Sequence, residues 1–415
     1  MLVSTNGNAD QTYTNTLLHK GIPVTTGAAY SITDKPAGLI GQITVNETTG
    51  EVTFGKPALD KVNADGPQTV TVQAAYQGKT ASYTFTLTDH FSPRDLHTSV
   101  VMGNDIYVIG GVTQKFVAGR STTPGKPEIS SNEVWRSSDG GLTWDQVAGS
   151  TRFTDRANHG SVVLDGALYV IAGRETDKTT GRDDVWRSAD RGVTWSRVTP
   201  TGANVSFPMD YSFASAVLGT TMYVMGGIQF SPFTRYNEVW RSTDRGASWT
   251  QATNATDPKF SARSAPAAVV LGGPGAAKLY VIGGRAASGA GALDDVWESG
   301  DGTSWTHVNA SAASSDKFAA RKEHSAAVLG DTVYVIAGDQ GGATRRDVWT
   351  SGDKGATWTQ AAANAEFPAR RNHASPAQGG ALYVIGGSTG STRLFNDVWK
   401  STDGGTTWVN VHKNP

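Results

Sequence analysis

Apolar and polar residues alternate along most of this chain in short runs, each stopped by Gly, Asp or Asn. Residues 324–362 show the unit clearly, as HSAAVLG (324–330), TVYVIAG (332–338), RDVWTSG (346–352) and ATWTQAA (356–362). A period of two over such lengths predicts half-buried β-strands joined by tight turns. Four strands, a to d, make one unit. No stretch has the periodicity or the Ala, Glu, Lys and Leu content of a long helix.

The unit recurs. All 12 tryptophans fall into six pairs, Trp135/Trp144, Trp186/Trp195, Trp240/Trp249, Trp297/Trp305, Trp349/Trp358 and Trp399/Trp408, recurring every 50 to 57 residues. Strand b ends each time in a double small residue: Gly110–Gly111, Ala172–Gly173, Gly226–Gly227, Gly283–Gly284, Ala337–Gly338 and Gly386–Gly387. The period, the double glycine and the paired aromatics together resemble the kelch repeat over residues 91–412, and six such units imply a six-bladed β-propeller. All units run a to d in the same phase, so closure of the ring falls on packing between blades 1 and 6, which is expected to be a weak seam unless the amino-terminal domain helps.

Residues 1–89 contain no Trp and no repeat. AYSITDKPAGLIGQITVNETTGEVTFG followed by GPQTVTVQAAYQGKTASYTFTLTD alternates like a β-sandwich, with turns expected at Glu47–Gly50 and Tyr76–Lys79. The order of these stretches resembles bacterial immunoglobulin-like modules of the cadherin-like kind. The fold class is therefore all-β, with a sandwich over 1–89 and the propeller over 90–415, joined closely at His90–Pro93. Such modules belong to secreted and surface proteins, so the resemblance implies an extracellular, surface or periplasmic location. MLVSTNGNAD carries no signal peptide and no apolar span crosses a membrane, so the reading is either a cytosolic chain or one trimmed of its signal, and export is the one favoured.

Composition removes several chemistries. Lys plus Arg (36) balances Asp plus Glu (37) without a basic stripe, which argues against nucleic acid and anionic membrane as partners. The absence of cysteine excludes disulfides, thiolate metal sites and thiol nucleophiles.

Strand order separates the two faces of the ring. The d–a and b–c connections share one face and the a–b and c–d turns the other. Each c–d turn carries Ser-x-Asp-x-Gly-x-Thr-Trp or a close variant, as in SSDGGLTW (137–144). This resembles the sialidase Asp box. Its six carboxylates, Asp139, Asp190, Asp244, Asp301, Asp353 and Asp403, suit turn closure rather than one catalytic site, and one carboxylate per turn is too few for calcium.

The opposite face has its own repeat leading into strand a: FSPRDLH (91–97), FTDRANH (153–159), FPMDYSF (207–213), FSARSAP (260–266), FAARKEH (318–324) and FPARRNH (367–373). Phe stands in all six, Arg in five and His in four (His97, His159, His324 and His373). Such repetition favours architecture, with Arg and His tying adjacent blades, over a metal site; no metal or cofactor is expected. Function is then sought in departures from the repeat. Blade 3 departs most, with Asp210 for Arg, Phe213 for His, Tyr211 between them, and a b–c loop holding Phe230, Phe233, Arg235 and Tyr236. Aromatic rings, a carboxylate and an arginine suit a sugar, and equally suit a plug in the channel. Arg174, Glu175, Arg285, Glu323, Asp339, Arg346 and Arg371 join them on this face, and the long loop 112–131 is a candidate lid, or equally a loose excursion or a contact for the amino-terminal domain.

Three resemblances bear on activity. Sialidases bind the substrate carboxylate with three arginines and carry an Arg-Ile-Pro motif, which is missing here. Galactose oxidase needs a Tyr crosslinked to Cys, which this chain lacks. The bacterial N-acetylneuraminate mutarotase, a six-bladed kelch protein, implies a glutamate and an arginine in the central pocket. Glu323 or Glu175 with Arg174, Arg285 or Arg321 would supply that pair, and Asp210 is the other candidate base. The leading expectation is an exported bacterial binding protein that recognises a carbohydrate or a surface protein through the d–a/b–c face; a sugar-modifying enzyme is the alternative.

Overall fold

The computed structural model describes residues 91–411 apart from 114–128, 148–150, 176–180, 200–206, 254–255, 288–290 and 391–392, and within residues 1–90 the backbone of the strands. Most of the candidate lid therefore lies outside the described residues. No helix among those described is long and apolar enough to cross a membrane.

Six antiparallel sheets follow one another along the chain, each with strands in the order a-b-c-d, and the sheet of blade 4 adds the short strand Arg263–Ser264. Blade 1 runs through Thr98–Met102, Asp105–Ile109, Val134–Ser137 and Asp145–Gln146, and blade 5 through Ser325–Leu329, Thr332–Gln340, Ala343–Ser351 and Thr359–Ala362. Strand b is buried along its whole length in blades 1, 2 and 6, which explains its continuous apolar run; strand a alternates in blades 2 to 5 and lies against the strands a of neighbouring blades. The second tryptophan of each pair is buried against the preceding blade. Trp144, for instance, shares a cluster with Tyr383, Ile385 and Val398 of blade 6, and Phe91 meets its indole edge-on at 5.0 Å.

The turn between strands c and d closes on its aspartate. Asp139 accepts the Thr143 N–H at 3.0 Å and the Thr143 hydroxyl, while Ser137 Oγ accepts the Gly141 N–H at 2.8 Å. The same geometry recurs at Asp190, Asp244, Asp353 and Asp403. The hydroxyl and amide of Thr407 hold Asp403 down at about 2.

Each second glycine of strand b donates its N–H to the carbonyl of the next blade's lead-in segment. The six bonds are Gly111 to Arg156, Gly173 to Asp210, Gly227 to Arg263, Gly284 to Arg321, Gly338 to Arg370 and Gly387 to Arg94, all between 2.8 and 2.9 Å. The glycine requirement is steric as well as conformational: φ at these six positions is 94° to 115°. A Cβ on Gly111, Gly173, Gly338 or Gly387 would also lie 2.6–2.7 Å from the Cβ of the blade's own histidine. The first position tolerates Ala172 and Ala337 because its φ of 49° and 53° stays in the left-handed well. The sixth bond corrects the expectation of a weak seam. Blade 6 meets blade 1 through the same backbone bond as every other pair and through a shared apolar cluster.

In residues 1–90 the strands pair as a four-stranded sheet of Leu2–Ser4, Lys79–Thr88, Gln68–Tyr76 and Ala29–Asp34, and a three-stranded one of Gln11–Tyr13, Val52–Phe54 and Ile43–Val45. Tyr76 pairs with Lys79 and Val45 with Val52; Glu47–Gly50 and the two residues between Tyr76 and Lys79, where turns were expected, lie outside the described residues.

Candidate functional site

The repeated arginines are scaffold. Arg94, Arg156, Arg263, Arg321 and Arg370 are wholly buried. Each donates to the carbonyl at the end of its own strand b, from Arg94 to Gly110 O at 2.8 Å through Arg370 to Gly386 O at 2.7 Å. Each also grips the carboxylate two residues before the first tryptophan: Glu133, Asp184, Asp295, Asp347 or Asp397. That carboxylate accepts the indole N–H as well, and the lead-in Phe lies under the guanidinium, as with Arg321 5.6 Å from the Phe318 centroid. The side chains thus brace a single blade, while the backbone of these residues, N–H as well as carbonyl, bonds the preceding one. Arg321 is accordingly spent on Asp347 and is no partner for a catalytic glutamate.

The four histidines are buried with the arginines. His159 bonds Thr98 of blade 1 at 2.9 Å and His373 bonds Ser325 of blade 5 at 2.7 Å, so these two rings tie adjacent blades. Burial, reinforced by the neighbouring arginine, lowers His97, His159 and His324 to about 3. Among the described residues no group of three His, Asp or Glu side chains is placed to hold a metal ion.

The residue just before each histidine slot is left-handed in all six blades: Leu96, Asn158, Ser212, Ala265, Glu323 and Asn372, with φ between 47° and 57°. Five backbone bonds link them around the channel, among them Asn158 N–H to Leu96 O at 2.9 Å and Leu96 N–H to Asn372 O at 3.1 Å. The residue one step earlier pairs with the residue that follows the second glycine of its own blade: Asp95 with Val112, Ala157 with Arg174, Tyr211 with Ile228, Ser264 with Arg285, Lys322 with Asp339 and Arg371 with Ser388. These three offsets define the channel mouth, and they are what the expected d–a/b–c face amounts to in three dimensions.

Two charged arcs face each other across it. On blades 5 and 6, Arg371 Nη1 lies 3.0 Å from Glu323 Oε2 and 3.2 Å from Asp339 Oδ2, while Lys322 Nζ lies 3.6 Å from Asp339 Oδ1. Asp339 also accepts the Gly342 N–H at 3.0 Å and is almost wholly buried. On blades 2 to 4, the Arg174 guanidinium lies over the Tyr211 ring at 4.9 Å, Arg235 Nε donates to Ser264 Oγ at 2.9 Å, and Arg285 is exposed beside them. No carboxylate among the described residues pairs with any of these three arginines, and Arg174 Nε is buried without a partner. Burial raises the Tyr211 phenol, against the pull of Arg174 and Arg235, and burial together with Arg285 lowers Arg235.

Blade 3 meets its departures partly by repacking. Met209, Phe207 and Phe213 join one apolar cluster with Tyr236 packed against it, where other blades bury an ion pair. Asp210 Oδ2 accepts the Phe230 N–H at 2.8 Å, and Gly181 of the blade 2 loop sits against its carboxyl group. Burial raises the Asp210 carboxyl, with Asp183 adding to the rise. Tyr236 donates to Gln229 and Phe233 lies 4.9 Å below Arg235. Glu175 pairs with Arg182 inside its own loop. The structure therefore groups Arg174, Tyr211, Arg235 and Arg285 in one arc and sets Arg371 with Glu323 and Asp339 in the other. Sequence reasoning passed over Lys322 and Ser388, although their fixed offsets from the histidine and the double glycine were available to find them.

Comparison with known proteins agrees with this architecture. Residues 212–414 match the KLHDC2/KLHL20/DRC7 Kelch-repeats domain, and residues 111–241 match the DUF6242 beta propeller domain. The chain is 30% identical over 142 residues to the xyloglucanase Xgh74A of Acetivibrio thermocellus, covering 31% of this chain and 16% of that enzyme. It is 27% identical over 205 residues to the kelch-like protein terF of Aspergillus terreus, covering 46% of this chain and 39% of that protein. The chain thus spans less than half the length of these curated relatives. Among solved structures, that of YjhT superposes with a TM-score of 0.57 at 15% identity, over 76% of this chain and 97% of that one. Strand order, double-glycine geometry and these matches agree that the chain carries kelch-type repeats and is built as a six-bladed β-propeller.

Proposed function

We propose that this is an exported bacterial binding protein whose channel mouth takes a carbohydrate bearing an acidic group. One observation carries the reading: Arg174 and Arg235 flank Tyr211, Arg285 lies beside Arg235, no carboxylate among the described residues pairs with any of the three, and Arg174 Nε is buried without a partner. A sugar carboxylate would satisfy these donors. Its hydroxyls would meet the Glu323–Arg371–Asp339 arc opposite, and its ring the half-buried Phe230. A relative named as a xyloglucanase is in keeping with a carbohydrate ligand. Export, and the division into a sandwich over 1–89 and a propeller over 90–415, rest on the immunoglobulin-like character of the amino-terminal sequence.

A second reading, sugar anomerisation, is favoured by Glu323 Oε2, which accepts no hydrogen bond yet lies 3.0 Å from Arg371, as a carboxylate waiting on a substrate hydroxyl would. NMR of N-acetylneuraminic acid with the protein tests both. Saturable binding without faster anomeric exchange supports a binding protein, and accelerated exchange supports the enzyme. Absence of binding to this sugar and to an array of acidic glycans, with capture of a surface protein instead, overturns the carbohydrate reading. Cell fractionation that finds the protein only in the cytoplasm overturns export.

A further inference from the structure

We infer a second carbohydrate site, separate from the mouth, in a cleft of about 380 Å³ on the rim of blade 5. Its walls are the b–c hairpin of blade 5, strand d of that blade and the segment leading into blade 6.

Strand geometry sets its chemistry. Arg345, Asp347 and Trp349 alternate along strand c and so share a face, and Gln360 stands directly across from Trp349 on strand d. All four line the cleft. Asp347 is spent, since both its oxygens hold Arg321 at 2.8–2.9 Å and one also takes the Trp349 indole N–H at 2.8 Å. Arg345 is exposed and has no side-chain partner among the described residues. Arg346 Nε donates to Asn364 Oδ1 at 3.3 Å, which turns the Asn364 amide N–H groups outward. The cleft therefore offers guanidinium and amide donors around an indole, with no free carboxylate.

Blade 5 alone has this combination. Three residues before the first tryptophan the other blades carry Asn132, Asp183, Asn237, Asp294 and Asn396, and blade 5 carries Arg346. In blade 4 the matching indole, Trp297, is already covered by His307, stacked at 4.7 Å and 11°. Gln360 takes the His307 position in blade 5, so the indole surface that accepts a flat ring in blade 4 faces a planar amide instead. An indole platform flanked by amides and an unpaired arginine fits a uronic acid: the pyranose ring on Trp349, the carboxylate on Arg345 and hydroxyls on Gln360 and Asn364.

Calorimetric titration of the full chain with digalacturonic acid, with cellobiose as the neutral control, tests the assignment. The expected result is saturable binding of the uronate, at least tenfold weaker binding of cellobiose, and at least a tenfold loss in Arg345→Ala and Gln360→Ala, whose exposed positions leave the melting temperature unchanged. In an Arg174→Ala background, which takes the proposed mouth site out of the titration, the intact cleft should still bind the uronate and the two cleft variants should lose that binding. The inference fails if no saturable binding occurs, if cellobiose binds equally well, if both cleft variants retain full affinity, or if only Arg174→Ala loses it.

Discussion

The amide of Gly387 donates to the carbonyl of Arg94 at 2.8 Å, joining the last blade to the first. Both ends of the bond are prepared by local sequence, because Gly387 has φ of 94° and Arg94 is fixed by its own fork to Glu133 and Gly110. The ring thus closes without a strand shared between the ends of the repeat array.

Gly387→Ala should therefore open the seam. The new Cβ would lie 2.7 Å from His373 Cβ and 2.8 Å from Arg371 O, in a backbone conformation that already costs an L-residue roughly 1–2 kcal/mol. Adding the steric strain, the expected loss is about 3 kcal/mol or more, read from urea denaturation. Gly379→Ala is the control, with φ of 59° and nothing within 4 Å of the added carbon. A loss there as large as at Gly387 would show that backbone conformation alone, not the contact with blade 6, sets the cost.

The buried forks should respond asymmetrically. Asp347→Ala strands the wholly buried Arg321 and should cost about 3–5 kcal/mol. Arg321→Met leaves Asp347 still accepting the Trp349 indole N–H, as Glu238 does from Trp240 in blade 3, where no arginine is present. Its cost should be clearly the smaller of the two. Equal urea midpoints for the two variants would contradict the account of blade 3 as an apolar substitute for the fork.

Acid should loosen the ring through its histidines. His97, His159 and His324 are held near 3 in the folded chain by burial and their arginine neighbours, whereas the unfolded chain has the ordinary value of about 6.5. Between those values the unfolded state binds more protons, so stability is full above pH ~6.5 and falls as pH drops toward 3, by up to about 1.4 kcal/mol per pH unit for each ring. Phe213 occupies the same slot in blade 3, which makes His97→Phe the informative variant. Its loss of stability between pH 7.5 and 5 should be smaller than that of the wild type by up to about 2 kcal/mol. An unchanged difference would mean that other groups carry the acid response.

Blade number, strand order and the identity of the two faces were legible because each rests on local signals repeated six times: the double glycine, the paired tryptophans and the Ser-x-Asp turn. Arg174, Arg285, Glu323, Asp339 and Arg371 were legible as candidates because loop position alone puts them on the d–a/b–c face. Their grouping was not, since it depends on which blades stand opposite each other and on backbone offsets that no single repeat reveals. Arg321 and Lys322 show the limit most directly. They are adjacent cations in one lead-in segment, yet alternation of side-chain direction buries the first in its blade and sends the second to the mouth beside Asp339.

Glu323→Gln separates the two readings of the mouth. The change keeps the side chain's size and its left-handed backbone position while removing one of the two carboxylates that balance Arg371. If the mouth binds acidic sugars, losing a negative charge there should tighten N-acetylneuraminic acid by a few-fold, equivalent to about 1 kcal/mol in a solvated site. If the protein also exchanges anomers with Glu323 as the proton-transferring group, the same variant should bind at least as well and lose most of that exchange, on the order of a hundredfold or more. Weaker binding by Glu323→Gln, without any change in exchange, would instead show that the glutamate's hydrogen bond to a sugar hydroxyl outweighs its charge, with the carboxylate left to Arg174, Arg235 and Arg285.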